Sequence, residues 1–167
     1  MKTLFLLLSS IIILLLVTAC GSLQKAKLDA EVDRLCAIDG GVRVYVNVTL
    51  PPDKFNKWGQ VNFYRPDQGE NTLGPDYIYK WDVHYYELGD STSHGAHETV
   101  MKKDHFKVIR KSDMSLLGEV VMYHRAGGGM PGPWRTSSYH CPSQLEANEG
   151  ILINRIFNRS NGAGNID

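Results

Sequence analysis

The chain has 167 residues, carries 18 basic and 18 acidic side chains, and is 43% apolar. This length accommodates one domain with short additional segments. Because the chain has no net charge, it has no overall electrostatic attraction to nucleic acid, and a nucleic-acid-binding function is not expected.

The first 19 residues are organised like an export signal. Lys2 supplies one positive charge, residues 4–16 are apolar apart from two serines, and small residues precede Cys20. A helix over residues 4–19 would span about 24 Å, which is less than the roughly 30 Å hydrocarbon core of a bilayer. The pattern therefore predicts a cleaved signal peptide over residues 1–19 rather than a permanent membrane span.

The end of this stretch, residues 17–20 with the sequence VTAC, resembles the lipobox of bacterial lipoproteins. The resemblance implies that Cys20 receives diacylglycerol and a further acyl chain such as palmitate, and becomes the mature N-terminus. Two or three acyl chains, at about 0.8 kcal/mol per buried CH₂, would hold the protein on the membrane. Gly21 and Ser22 follow Cys20 in place of aspartate. By the same resemblance, the absence of aspartate at this position implies sorting to the outer membrane of a Gram-negative cell, with the domain on the periplasmic face.

The cysteine count supports the same interpretation. Three cysteines in an exported protein would leave one thiol unpaired. If Cys20 carries lipid, Cys36 and Cys141 remain as one pair in an oxidising compartment, and a disulfide between them is predicted. The competing interpretation is a catalytic Cys141 activated by the neighbouring His140.

The mature chain is predicted to form a tether at 20–23, one globular domain over residues 24–159, and a disordered tail at 160–167. Apolar residues at helical spacing predict a helix over residues 24–38, which Gly40 and Gly41 end. Four alternating valines predict a half-buried strand over residues 42–48. A short helical turn and a loop rich in proline and glycine follow, up to residue 76.

Strands dominate the second half of the predicted domain. A strong strand is predicted over residues 76–88, and further strands lie within 97–111, 116–125 and 136–141. Ser143 and Glu146 have the spacing of a helix capping box, and a short helix is predicted after them. Because helices do not alternate with strands, the predicted fold class is α+β, an N-terminal helix packed on a mainly antiparallel sheet of four to six strands.

One face of the strand at 76–88 is aromatic. Side chains at alternate positions share a face of a strand, and this face comprises Tyr77, Tyr79, Trp81, Val83 and Tyr85. Such a face packs in the core or serves as a platform on which sugars stack. Both interpretations stay open from the sequence.

The segment RAGGGMPGPW, residues 125–134, has an unusual composition. Its glycines match the spacing of a dinucleotide-binding loop, but Pro131 and Pro133 prevent the helix that such a loop requires. It is therefore predicted to be a wide connection between strands or a rigid recognition loop for a protein or glycan. The candidate recognition residues are Arg125, Gly127, Gly128, Gly129, Met130 and Trp134.

A second cluster, His94, His97 and Glu98, contains possible metal ligands, which His84 or His105 would complete. The spacing differs from that of the helical zinc motif, and a solvated loop is the competing interpretation. No cofactor is predicted.

Three segments are similar to parts of small uncharacterised lipoproteins of proteobacteria, namely LCAIDGGVRVYVNVTLP, LLGEVVMYHRAGGGMPGPW and SSYHCP. The resemblance implies a coherent domain with paired cysteines, and it brings no catalytic residues. The sequence thus predicts a membrane-anchored envelope lipoprotein that is a non-enzymatic binding or structural component, with an envelope protein or glycan as partner. The alternative is an envelope hydrolase, possibly zinc-dependent through His94, His97 and Glu98.

Overall fold

The computed structural model describes residues 23, 25–87, 99–127 and 137–160. A helix, α1, covers residues 25–39, and a second helix, α2, covers Glu149–Ile156. The strands are β1 (Gly41–Val44), β2 (Val48–Leu50), β3 (Tyr77–Glu87), β4 (Val100–Arg110), β5 (Leu116–Ala126), β6 (Ser138–Cys141) and β7 (Phe157–Arg159). Cys20, the leader and the chain from residue 161 lie outside the described residues. Among the described residues, no helix is long and apolar enough to cross a bilayer.

The main sheet has five strands in the order β1-β5-β4-β3, with β6 also paired to β5. All of its pairings are antiparallel. β1 pairs with the first half of β5 and β6 with the second half, so these two short strands lie end to end along the same edge of β5. β2 and β7 form a separate parallel pair. The predicted α+β class and the predicted number of strands are confirmed.

The two helices cover opposite faces of the sheet. Val121 of β5 packs with residues of α1, whereas its neighbour Val120 packs with residues of α2. Successive side chains of a strand point to opposite faces, so each helix defines one face, here called the α1 face and the α2 face. The two helices also contact different parts of β5, and each leaves part of its own face uncovered.

A glycine permits the close approach of α2 to the sheet. A Cβ atom on Gly118 of β5 would lie 2.8 Å from the carbonyl oxygen of Arg43 and 3.1 Å from the Cδ1 atoms of Leu152 and Ile156. Any larger residue would displace the helix or β1. Gly118 therefore sets the position of α2 at this end of the sheet.

A disulfide joins Cys36 of α1 to Cys141 of β6, across 105 positions of sequence. The predicted pairing is confirmed, and Cys141 has no thiol with which to act as a nucleophile. At the end of α1, Asp39 accepts hydrogen bonds of 2.6 Å from both Lys103 and Tyr123 on the α1 face. These contacts, one covalent and two polar, fix the C-terminal end of the helix to the sheet.

The prediction of a single strand over residues 42–48 is wrong. β1 ends at Val44, because the backbone N–H groups of Tyr45 and Val46 both donate to the carbonyl oxygen of Leu117, at 2.8 and 3.0 Å. The chain then leaves β5, and Val48 begins β2 in the other sheet. Of the four valines, Val46 does not pack against the core.

The start of α2 also differs from the capping-box prediction. Ser143 and Glu146 do contact each other, with the Ser143 hydroxyl 2.9 Å from the Glu146 carboxylate, but they form a turn. The helix begins six residues after Ser143, at Glu149, because the side chain of Asn148 accepts from the Ile151 N–H at 2.8 Å. Asn148 is therefore the residue that caps α2.

Candidate functional site

The part of the α2 face that α2 leaves uncovered carries a group of polar and aromatic side chains. The strand register places them together, because Asp104 pairs with Val83 and Met122 while Lys102 pairs with His124, and His124 pairs with His140. We call this group the Asp104 cluster. It consists of Trp81, Lys102, Asp104, His124 and His140.

Asp104 is at the centre of the cluster and only 4% of it is exposed. Its Oδ1 accepts a hydrogen bond of 3.1 Å from Trp81 Nε1, and Lys102 Nζ lies 3.4 Å from the same oxygen. Its other oxygen, Oδ2, lies 3.3 Å from Nδ1 of His124. A buried carboxylate is costly unless it is paired or hydrogen-bonded, and these three side chains provide that compensation.

The two histidines of the cluster are neutral at pH 7. Burial lowers the pKa of His124 to about 4, although the Asp104 carboxylate raises it and the Lys102 charge lowers it further. Burial also lowers the pKa of His140, whose ring centroid lies 5.2 Å from that of His124. Each neutral imidazole offers one hydrogen-bond donor and one acceptor.

The low pKa of His124 predicts a loss of stability in mild acid. Between pH 6.5 and 4 the unfolded chain binds a proton at this residue, whereas the folded chain keeps it neutral down to a pKa of about 4. Stability from this residue is therefore fully present above pH 6.5 and is lost as the pH falls. The free energy of unfolding, measured with urea, should fall less between pH 7 and pH 5 in His124→Asn than in the wild type. His84→Asn, a control at an exposed site on the α1 face, should keep the wild-type loss. If the free energy of unfolding of His124→Asn fell as much as that of the wild type, the low pKa assigned to His124 would be contradicted.

Trp81 is exposed and yet held in place. Its surface is 57% exposed, its ring stacks on Phe106 at 5.5 Å with an interplanar angle of 12°, and its Nε1 is bound by Asp104. The aromatic strand therefore divides in two. Tyr77 and Tyr79 belong to the core, as a packing role requires, whereas Trp81 lies on the surface, as a binding platform requires.

Arg125 does not offer its guanidinium to the surface. It is 1% exposed, and it donates to the Asp29 carboxylate of α1, to the carbonyl oxygen of Gly127 and, at 3.2 Å, to that of Ser137. Gly127 and Ser137 are also joined by a backbone hydrogen bond of 3.0 Å. Arg125 thus fixes the two ends of the predicted recognition loop. Gly128, Gly129, Met130 and Trp134 lie outside the described residues.

The predicted metal ligands lie largely outside the described part of the chain, and the prediction stays untested. His94, His97 and Glu98 lie outside the described residues. His105 is on the α1 face, where its Nε2 lies 2.6 Å from the Glu119 carboxylate. Among the described residues, no group of three side chains is arranged to hold a metal ion.

No protein-family model, curated protein or solved structure matches this chain. The likeness to proteobacterial lipoproteins therefore remains a prediction from the sequence.

Sequence reasoning missed Asp104 and His124 as site residues. A signal was present, because Asp104 is in phase with the core residues Phe106 and Val108 on β4. A charged side chain at an inward position of a strand indicates a buried polar group that needs partners.

Proposed function

We propose that this protein is a lipid-anchored component of the bacterial envelope that binds a partner through the Asp104 cluster and does not catalyse a reaction. The observation that carries the proposal is Trp81, an exposed ring fixed by Phe106 and by the buried carboxylate of Asp104. An exposed aromatic side chain that is already ordered loses little conformational entropy when a partner covers it.

The position of α1 supports an anchored orientation. Cys20 lies five positions before residue 25, so the lipid and the helix would be separated by at most about 18 Å of extended chain. α1 covers one face of the sheet and the Asp104 cluster lies on the other. An anchor that held the α1 face toward the bilayer would leave the cluster facing away from it. The Cys36–Cys141 disulfide agrees with an extracytoplasmic compartment.

The described contacts of the cluster suit a binding surface and do not include the nucleophile that covalent catalysis needs. Nucleophilic catalysis needs a hydroxyl or thiol within hydrogen-bond reach of a base. Among the described residues, no serine, threonine or thiol is hydrogen-bonded to His124 or His140. Neutral imidazoles beside an aromatic ring instead suit the mixed apolar and hydrogen-bonding surface of an envelope protein or glycan.

Site-specific photo-cross-linking in cells tests the binding face. Ser138 is exposed, and its pairing with Ala126 places it on the α2 face beside His140. A photo-reactive residue at position 138 should form adducts with an envelope protein or glycan, and Trp81→Ala should reduce them. The same residue at Thr49, exposed on β2, is the control. Equal adducts from both positions, or none from position 138, would contradict the proposed face.

The anchor is tested in the same cells. Cys20→Ser should abolish labelling by palmitate and release the protein from the membrane fraction. Labelling that persists in this variant would show that Cys20 is not the modified residue.

A further inference from the structure

A groove of about 350 Å³ lies beside Trp81 at the edge of the main sheet. Residues 79–82 of β3 form one wall, and the other wall is the segment from Pro66 to Thr72, which includes the short 3₁₀ turn Gly69–Asn71. This segment occupies the position that a pairing strand of another chain would need. The groove is therefore accessible to a ligand that fits between two walls, and not to an additional strand.

The second wall is ordered by its own hydrogen bonds. The backbone N–H of Arg65 donates to the carbonyl oxygen of Thr72 at 2.8 Å, which closes the loop. Both the N–H and the hydroxyl of Thr72 donate to the carbonyl oxygen of Gly69, at 3.1 and 2.5 Å, and Thr72 is 1% exposed. Because the wall is already formed, a ligand would order little of the chain when it binds.

Trp81 offers one free face of its ring. The other face packs on Phe106, and Nε1 donates to Asp104. Among the described residues, no second aromatic ring stacks on Trp81, which is 57% exposed. The free face is therefore held in a fixed orientation beside the groove. A flat aromatic face of this kind suits a ligand ring that carries C–H groups on one side.

The charged groups around the groove balance. Glu70 and Lys80 line opposite walls, and among the described residues neither side chain is hydrogen-bonded or ion-paired. Asp82 is paired with Lys107 at 3.1 Å. The groove thus has one available acceptor, one available donor and no net charge. An ionic ligand would gain no net attraction there, whereas hydroxyl groups, which both donate and accept, can use both side chains.

We propose that this groove binds an uncharged oligosaccharide of the envelope, with one pyranose ring stacked on the free face of Trp81. A pyranose presents C–H groups on its faces and hydroxyls around its rim, which matches an aromatic face between a carboxylate and an ammonium group. Glu70 accepts from the sugar hydroxyls and Lys80 donates to them. The inference rests on the proposed binding role of Trp81 and names the class of its ligand.

The size of the groove favours a saccharide over a protein partner. A stable protein interface covers about 800 Å² on each partner, over a broad surface. Sites for small ligands are instead recessed and have volumes of about 300 to 1,000 Å³. The groove beside Trp81 has a volume of about 350 Å³ and lies between two walls. It therefore suits a short segment of a sugar chain.

Saturation-transfer NMR of the purified full chain in detergent tests the proposal. The probes are cellotriose, maltotriose and tri-N-acetylchitotriose, and at least one of them should receive saturation, most strongly at its ring C–H protons. Trigalacturonate should receive about fivefold less, because its carboxylates would lose water without a net attraction in return. No transfer to any uncharged probe, or equal transfer to trigalacturonate, would overturn the proposal.

Two tryptophan variants locate the bound sugar. Trp81→Ala should weaken binding of the probe at least about tenfold, because the stacking surface is lost. Trp58→Ala is the matched control, since Trp58 is 73% exposed and does not line the groove. Its affinity should stay within about twofold of the wild type. Circular dichroism shows whether each variant is folded. Full affinity in a folded Trp81→Ala, or equal losses in both variants, would refute the site.

A variant on the other wall keeps the test independent of the folding of Trp81→Ala. Glu70 is exposed, and Glu70→Ala should weaken binding about tenfold through the loss of a charged acceptor. Asp67→Ala, an exposed acid on the same segment that does not line the groove, is the control. Unchanged affinity in Glu70→Ala would contradict the proposal. Protein adducts from position 138 without binding of any sugar would refute the saccharide alone and retain the proposed function.

Discussion

Replacing Cys36 and Cys141 together by alanine is expected to lower the free energy of unfolding by about 4 to 5 kcal/mol, because the cross-link closes a loop on the order of 100 residues in the unfolded chain. The two cysteines are 105 positions apart, which makes the restriction of the unfolded chain large. Urea unfolding at pH 7 measures the loss as a shift of the midpoint.

The same result should follow from reduction. Treating the wild type with a thiol reductant should lower its midpoint to that of the alanine variant, while the variant should not respond. A loss below about 1 kcal/mol would mean that the fold is held without the cross-link, since single contacts contribute amounts of that size.

The local periodicity of apolar residues was sufficient to predict the helix and the strands that are regular over many residues. Leu28 and Val32 recur at helical spacing and are buried on α1, as predicted. β3, β4 and β5 each extend over 11 residues, and the strand pattern identified all three. In these elements one periodicity runs from end to end, so local preference and tertiary packing agree.

The errors fall where a distant contact overrides a local pattern. The alternation at residues 42–48 predicts one strand, but the carbonyl of Leu117, about 70 positions away, takes two N–H groups and ends β1. At α2, both Ser143 and Asn148 are good capping residues, and in the fold Asn148 caps the helix that packs on Gly118. Neither outcome is visible in the sequence, because each depends on which segments meet in the fold.

The burial of Arg125 could not be predicted from the sequence for the same reason. An arginine at the end of a strand is usually solvated, but this one is buried and paired with Asp29 of α1. The same contact explains how one side chain organises three segments, because its donors reach α1 and both ends of the connection that leaves β5. Removing the side chain should therefore affect stability rather than partner binding alone.

Arg125→Met is expected to destabilise the fold by about 3 kcal/mol or more, because breaking a buried ion pair leaves the other charge without its partner. Asp29 would keep some contact with water, since 24% of its side chain is exposed, but the carbonyl oxygens of Gly127 and Ser137 would lose their donor. Arg43→Met is the matched control. Its side chain is 41% exposed and its guanidinium lies 3.6 Å from Glu119, and exposed pairs contribute about 0 to 1 kcal/mol. Urea unfolding of both variants at pH 7 measures the difference. Equal losses in the two variants would contradict a larger contribution of the buried Arg125 pair. A loss confined to Arg125→Met would show that Arg125 stabilises the contact between α1 and the sheet.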